Sequence, residues 1–193
     1  VPQEQEGTYF CLSNDQFQVI GIDTAWFEDG RFEEQKQMAW LQDRLREGKS
    51  GGAEKVNILL SPNDPYELGK EDFQDLYNDL KHIVDAKLID YWFWGNTHYA
   101  ALFDKSSSAP FYGSCIGHGG HPIYLDDVKN NKAEHFNNRQ SQPHIPEALW
   151  VETGPRFDEG TGLRQEMGTH GFCMMELHHK EVKLTYYDWV GRE

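Results

Sequence analysis

Two apolar runs that stop at short polar clusters constrain this chain more than anything else in it: Asn57-Ile-Leu-Leu-Ser-Pro-Asn-Asp-Pro-Tyr66 and Asp90-Tyr-Trp-Phe-Trp-Gly-Asn-Thr-His-Tyr99. An unbroken apolar run has no polar side to turn towards water, so each reads as a strand buried on both faces of a sheet. The polar cluster then falls at the carboxyl end of its strand. Open α/β sheets build their ligand and metal sites at that end. Of the side chains so placed, only His98 is a strong metal ligand; Asn63 and Asn96 offer amide oxygens, which suit hard ions such as Mg²⁺ or Ca²⁺ better than zinc or iron.

The rest of the chain supplies the elements such a sheet needs. Residues 9–12 and 17–23 read as strands around a turn at Ser13-Asn14-Asp15. Met38, Leu41 and Leu45 recur at helical spacing across residues 33–47, and Gly48, Gly51 and Gly52 end that helix. Residues 55–61 form the first buried strand. Phe73, Leu76, Tyr77, Leu80, Ile83 and Val84 make one stripe and predict a helix over 70–83. Strands follow at 91–95, 99–103, 111–116 and 148–153, with a hairpin of 171–177 and 182–187 around His178-His179-Lys180. The stretch 117–146 is rich in Asn, His, Gly and Pro and reads as a loop. Alternating strands and helices followed mainly by strands predict a parallel sheet that continues antiparallel, in a single domain spanning residues 1–193.

Composition removes several classes of function. A formal net charge of −14 leaves nothing to neutralise a phosphate backbone, which argues against nucleic acid and against anionic membrane surfaces. No apolar run approaches the roughly 18–20 residues needed to cross a bilayer. Cys11, Cys115 and Cys173 are odd in number, widely spaced and without zinc-site spacing, so they read as thiols of a reducing, cytoplasmic compartment. No nucleophile elbow, phosphate-binding P-loop or His-Glu-x-x-His is present.

Several pieces in order resemble one enzyme family. Asn63-Asp64-Pro65 and Gly95-Asn96-Thr97-His98 stand where calcineurin-like metallophosphoesterases carry a His before a Pro and a Gly-His-x-His. Ile20-Gly21-Ile22-Asp23-Thr24, Gln37-Met-Ala-Trp-Leu41 and Cys115-Ile-Gly-His-Gly-Gly120 match further pieces, from about Tyr9 to Tyr187. The chain resembles the carboxyl-terminal half of that family. The resemblance implies half of a two-sheet α/β sandwich with a mixed sheet and flanking helices. It implies a metal position at His98, Asn63 and Asn96, and a substrate-adjacent loop at His118, Gly119 and Gly120. It implies a divalent metal (Mn, Fe, Zn or Mg) if the family site is completed.

Two departures stand against activity. The family's amino-terminal motifs (Asp-x-His, Gly-Asp-x-x-Asp and Gly-Asn-His-Asp/Glu) are absent from these 193 residues, and two imidazole positions are Asn. The chain begins at Val1 without a Met and reads as a fragment or a processed product. The expectation is a truncated or degenerate phosphoesterase with no catalytic residue of its own, serving as a scaffold or binding module. The alternative is an active phosphoesterase whose other half lies upstream or in another chain. A half-sandwich should expose one face of its sheet, so a companion half, a partner chain or self-association is expected.

Individual residues keep second readings. His98 is a metal ligand or a strand-end His bonded to backbone. The glycines beside His118 and His121 serve an anion-contacting loop or a tight turn with φ > 0. His178-His179 reads as a solvated turn. Asp64 is aimed away from Asn63 if the strand continues that far.

Overall fold

The apolar runs do lie at the centre of a sheet in the computed structural model, which describes residues 8–24, 35–50, 52, 54–121, 123–154 and 167–191. The strands are β1 (Phe10–Ser13), β2 (Phe17–Gly21), β3 (Val56–Leu60), β4 (Tyr91–Trp94), β5 (Ala100–Phe103), β6 (Tyr112–Ile116) and β7 (Ala148–Val151). They form one sheet in the order β1-β2-β3-β4-β6-β5-β7. β2, β3, β4 and β6 run parallel, and β1, β5 and β7 pair antiparallel at its flanks. The predicted mixed α/β sheet is observed.

Alternation along the central strands loads both faces. Leu59, Trp92, Trp94 and Cys115 point to one side, where Leu41, Leu45, Leu76, Leu80 and Ile83 of the helices close the main core. Ile58 and Phe93 point to the other side with Phe17, and are met there by Met175, Leu177, Val182 and Leu184. These four residues belong to a hairpin of β8 (Gly171–His178) and β9 (Glu181–Asp188), whose two strands form a separate sheet. The face expected to be bare is therefore capped at its middle by this chain's own carboxyl-terminal hairpin. The hairpin's outward row, including Phe172 and Met174, is exposed, as are Leu12 and Tyr112 on the flanks of that face.

Three elements differ from the sequence reading. Helix α1 (Gln35–Lys49) runs through Gly48 instead of stopping there. A Cβ on Gly48 would lie 2.3 Å from Asn57 Oδ1, so this glycine lets the helix touch β3. The stripe at 73–84 is buried as expected, but it is carried by two short helices, α2 (Asp75–Asp79) and α3 (Lys81–Asp85), broken at Leu80 with φ −94° and ψ 6°. The supposed loop at 117–146 contains helix α4 (Leu125–Ser141).

Helix α4 has no apolar stripe to announce it: Leu125, Val128 and His135 are its buried residues. It docks instead through polar bonds to the turn at Gly69. His135 Nδ1 accepts from the Gly69 N–H at 3.4 Å, and its Nε2–H donates to the Pro146 carbonyl at 2.9 Å. Asn138 Nδ2 donates to the Gly69 carbonyl at 3.2 Å. Burial lowers the His135 pKa, in keeping with a neutral ring that donates at one nitrogen and accepts at the other.

Candidate functional site

The parallel strands β2, β3, β4 and β6 point their carboxyl ends to one edge, and all the polar clusters of the sequence arrive there. Helix α1 fixes the first of them. Gln37 accepts the Asp23 N–H at 2.8 Å and donates to the Asp23 carbonyl at 3.0 Å, so a buried amide pairs both backbone groups where β2 ends. Thr24 follows, buried, and its hydroxyl donates to Asn63 Oδ1 at 2.6 Å. The loop after β3 is held in turn by Ser61, which accepts from Trp92 Nε1 at 2.8 Å and donates to the Asn63 carbonyl at 2.7 Å.

The loop after β4 lies alongside. The amides of Gly95 and Asn96 both donate to the Pro62 carbonyl, at 3.2 and 3.0 Å. Asn96 is exposed and His98 half-buried. His98 has φ 54°, left-handed for a residue with a Cβ, because the chain reverses there into β5. Close approach enforces that reversal: a Cβ on Gly117 would sit 2.1 Å from the Gly95 carbonyl oxygen and 2.8 Å from the His98 nitrogen. Below the turn, Thr97 Oγ1 contacts Cys115 Sγ at 3.3 Å, and the thiol donates to the Tyr99 carbonyl at 3.1 Å. Burial pushes the Cys115 pKa up to about 11.

Sequence reasoning passed over Asp64. Only a strand continuing as far as residue 64 would turn Asp64 away from Asn63. In the structure β3 ends at Leu60 and the chain bends through the Pro62–Pro65 segment, so period-two alternation no longer applies. Asp64 is 6% exposed, and its Oδ1 has no hydrogen-bond partner among the described residues. Burial, then the nearby Glu67 carboxylate, raises its pKa to about 7. The two prolines flanking Asn63-Asp64 were the signal that the strand stops.

The glycine-rich loop divides. Gly117–Gly119 forms a single 3-10 turn, and neither Gly119 nor Gly120 has a positive φ. The tight-turn reading that needed φ > 0 is thus corrected: the close approach of Gly117, argued above, is what needs a glycine. His121 is exposed with its ring 6.0 Å from that of His98. His118 is buried and turns under the hairpin, where a Cβ on Gly171 would lie 2.6 Å from its Nε2. Gly119 and Gly120 are exposed beside it. His178 and His179 are exposed at the hairpin tip, the solvated turn expected.

Can this edge hold a metal? Asn63 Oδ1 already accepts from Thr24, Asn96 faces solvent, and His98 and His121 bring imidazoles whose ring centroids are 6.0 Å apart. Among the described residues no three His, Cys, Asp or Glu side chains converge on a common point. Metal sites of the implied kind need three or more protein ligands. The donor set presented by the described residues does not fit a catalytic divalent ion.

The fold as a whole is similar to solved structures. The structure superposes on the purple acid phosphatase PPD1 from yellow lupin (Lupinus luteus) seeds with a TM-score of 0.54 and 13% identity, over 97% of this chain and 32% of that one. Purple acid phosphatases are calcineurin-like metallophosphoesterases. The fold is that of part of a metallophosphoesterase. GAP50, described as the anchor in the inner membrane complex of Plasmodium, is similar as well, with a TM-score of 0.55 and 15% identity over 94% of this chain and 48% of that one. The chain therefore spans between a third and a half of the metallophosphoesterase-like chains it matches. No protein-family model matches the sequence, and no curated protein sequence does.

Proposed function

We propose that this chain is a metallophosphoesterase-like scaffold or binding module that does not hydrolyse phosphate esters by itself. One observation carries the reading. At the edge where an α/β sheet builds its site, Asn63 Oδ1 already accepts from Thr24, and among the described residues no three His, Cys, Asp or Glu side chains converge to bind an ion. Two-metal hydrolysis needs ions to activate water and to clamp the phosphoryl oxygens, and these side chains cannot hold them. The similarity to GAP50, described as an anchor, supports a non-catalytic use of the fold.

The assay is turnover of 4-nitrophenyl phosphate and its bis-ester with added Mn²⁺. The expected rate equals that of buffer and is unchanged in His98→Ala. Metal-dependent turnover that disappears in His98→Ala would overturn the proposal. The second reading, an active enzyme completed by ligands from another segment or chain, draws support from the partial coverage of the phosphatase. Under that reading, expression with the natural upstream coding sequence restores metal-dependent turnover.

The proposal includes association with a companion segment, a partner chain or a second copy. Phe172, Met174, Trp189 and Val190 are each about half exposed, all on or beside the hairpin. Such apolar surface on one side of a small domain marks an interface. Sedimentation at micromolar concentration should show an assembly larger than one chain. A monomer with no dye-binding apolar surface would refute association.

A further inference from the structure

Helix α4 is attached unevenly. Its first turn is built into the core: Leu125 and Val128 are buried, and Tyr124 just before it bridges to Met167. Across residues 129–141, His135 is the one buried residue; Asn131 and Asn138 are half-buried and the rest are exposed. Asn130, Asn131, Asn137 and Asn138 are weak helix formers, and an isolated helix of this length is marginal in water. Its order depends on what holds it down. That attachment is polar and centres on the Gly69 turn. Gly69 has φ 85°, and a Cβ on it would lie 3.0 Å from the Asn131 carbonyl oxygen. His135 takes the Gly69 N–H and Asn138 its carbonyl, while the other His135 nitrogen reaches the Pro146 carbonyl. The ring stands edge-on to Phe103, centroids 5.6 Å apart. Arg139 adds an ion pair with Glu147 at 2.9 Å, open enough for water to screen it.

This bonding requires a neutral ring. Protonation turns both nitrogens into donors, so Nδ1–H would meet the Gly69 N–H head on. The charged and titratable groups around the ring are Lys132 and Arg139 on α4, Glu147 just before β7, and Glu67, Lys70 and His144 on the loops that carry Gly69 and Pro146. Glu147 is engaged by Arg139, and Glu67 is bonded to Asp64. Once the segment lifts, water takes over the Gly69 and Pro146 groups and the imidazole can charge at little cost.

We propose that His135 is an acid-sensitive latch: its protonation releases residues 129–141 from the Gly69 turn, loosens the loop after β3 on that side and uncovers Phe103. Burial, then Arg139, lowers the His135 pKa in the folded chain, so the docked helix binds the proton less well than the released one. The latch is therefore fully set above the ordinary histidine pKa of about 6.5. As pH falls below that value the opening constant rises, by at most about tenfold per pH unit, until the lower folded pKa is passed. Two other buried groups act elsewhere or in the opposite sense. His118 lies under the β8–β9 hairpin, so its protonation is read in those strands. Asp64 gains its proton in acid, which tightens its loop. The inference does not depend on whether the carboxyl-terminal edge is catalytic.

Amide hydrogen exchange of the whole chain tests this, resolved by residue and expressed as protection factors so that the intrinsic pH dependence cancels. Between about pH 7 and about pH 5, protection over residues 129–141 should fall about fivefold or more while that of β3 and β4 is unchanged. The imidazole nitrogen shifts of His135 should show the Nε2–H tautomer at neutral pH and a pKa below about 6.5. His135→Gln, whose amide is neutral at both pH values, should lose the pH dependence whatever its own level of protection. The proposal fails if helix protection in the parent does not change with pH, if it falls together with that of β3 and β4, or if the fall persists in His135→Gln. Should a folded His135→Gln prove unobtainable, the parent decides alone: a His135 that carries its proton on Nδ1, or titrates at or above the ordinary value, overturns the latch.

Discussion

Replacing Asp64 with Asn should stabilise the chain near neutral pH and hardly alter it in acid. The carboxyl is buried in the loop after β3, and its pKa rises from 3.8 to about 7, first through burial and then through Glu67. The folded state therefore holds this proton more tightly than the unfolded state. Folding is not penalised below the unfolded pKa; as pH rises towards the folded pKa the penalty accumulates, and above it the penalty is complete. About three units at 1.36 kcal/mol each set an upper bound of about 4 kcal/mol. Sharing of the proton with Glu67 and partial contact with water reduce the expected effect to about 2 kcal/mol. An Asn amide keeps the shape and can still donate to Glu67, but it has no charge to desolvate. Urea unfolding of parent and variant at several pH values gives the comparison. The two should nearly coincide at about pH 4 and diverge by about 2 kcal/mol by about pH 8, with equal denaturant slopes. A difference that stays constant with pH, or one larger in acid, would show that Asp64 is ionised in the folded chain and that the reasoning fails.

Three further outcomes follow from the packing. Asn57 is fully buried and its Nδ2 donates to the Leu45 and Leu88 carbonyls at 2.9 and 2.8 Å, so Asn57→Ala should cost about 3 kcal/mol in chemical unfolding by leaving two acceptors unmet. A Cβ on Gly113 would lie 1.9 Å from the Tyr66 hydroxyl, and Gly113→Ala should lower stability by about 2 kcal/mol or more, read as a fall in melting temperature. Cys115, with its pKa pushed up to about 11 by burial, should resist a thiol-reactive aromatic disulfide in the folded chain and react at the speed of unfolding, while half-buried Cys11 and Cys173 are modified first.

How far the sequence could be read depended on where apolar surface was required. The runs 57–60 and 91–94 were legible because strands covered on both faces leave no polar alternation, and both faces are covered here. Helix α4 was illegible for the complementary reason: it docks by His135 and Asn138 on the Gly69 turn, and polar bonds leave no hydrophobic period. Its weaker signals were Asp126 and Asp127 in the first turn and Arg139 in the last, charges matched to the helix dipole. At the site, sequence order placed Asn63, Asn96 and His98 at the same edge of the sheet, but not the use of the Asn63 oxygen by Thr24, because a hydrogen bond between residues 39 apart has no local trace. The burial of Asp64 had no trace in the sequence, because period-two alternation ends with β3 at Leu60 and says nothing of the bend that follows.

Among the described residues the β8–β9 hairpin shares no backbone ladder with the seven-stranded sheet; it is held by side chains such as Met175 and Leu184, by Tyr186 on Ser114, and by the seat of Gly171 on His118. Its own cross-strand bonds survive if it lifts away, so it can open as a unit without unravelling. Amide protons in this chain should then fall into two exchange classes. Those of β3, β4 and β6 should exchange only on global unfolding, whereas those of β8 and β9 should exchange through a shared, lower-energy opening that uncovers Phe17, Ile58 and Phe93.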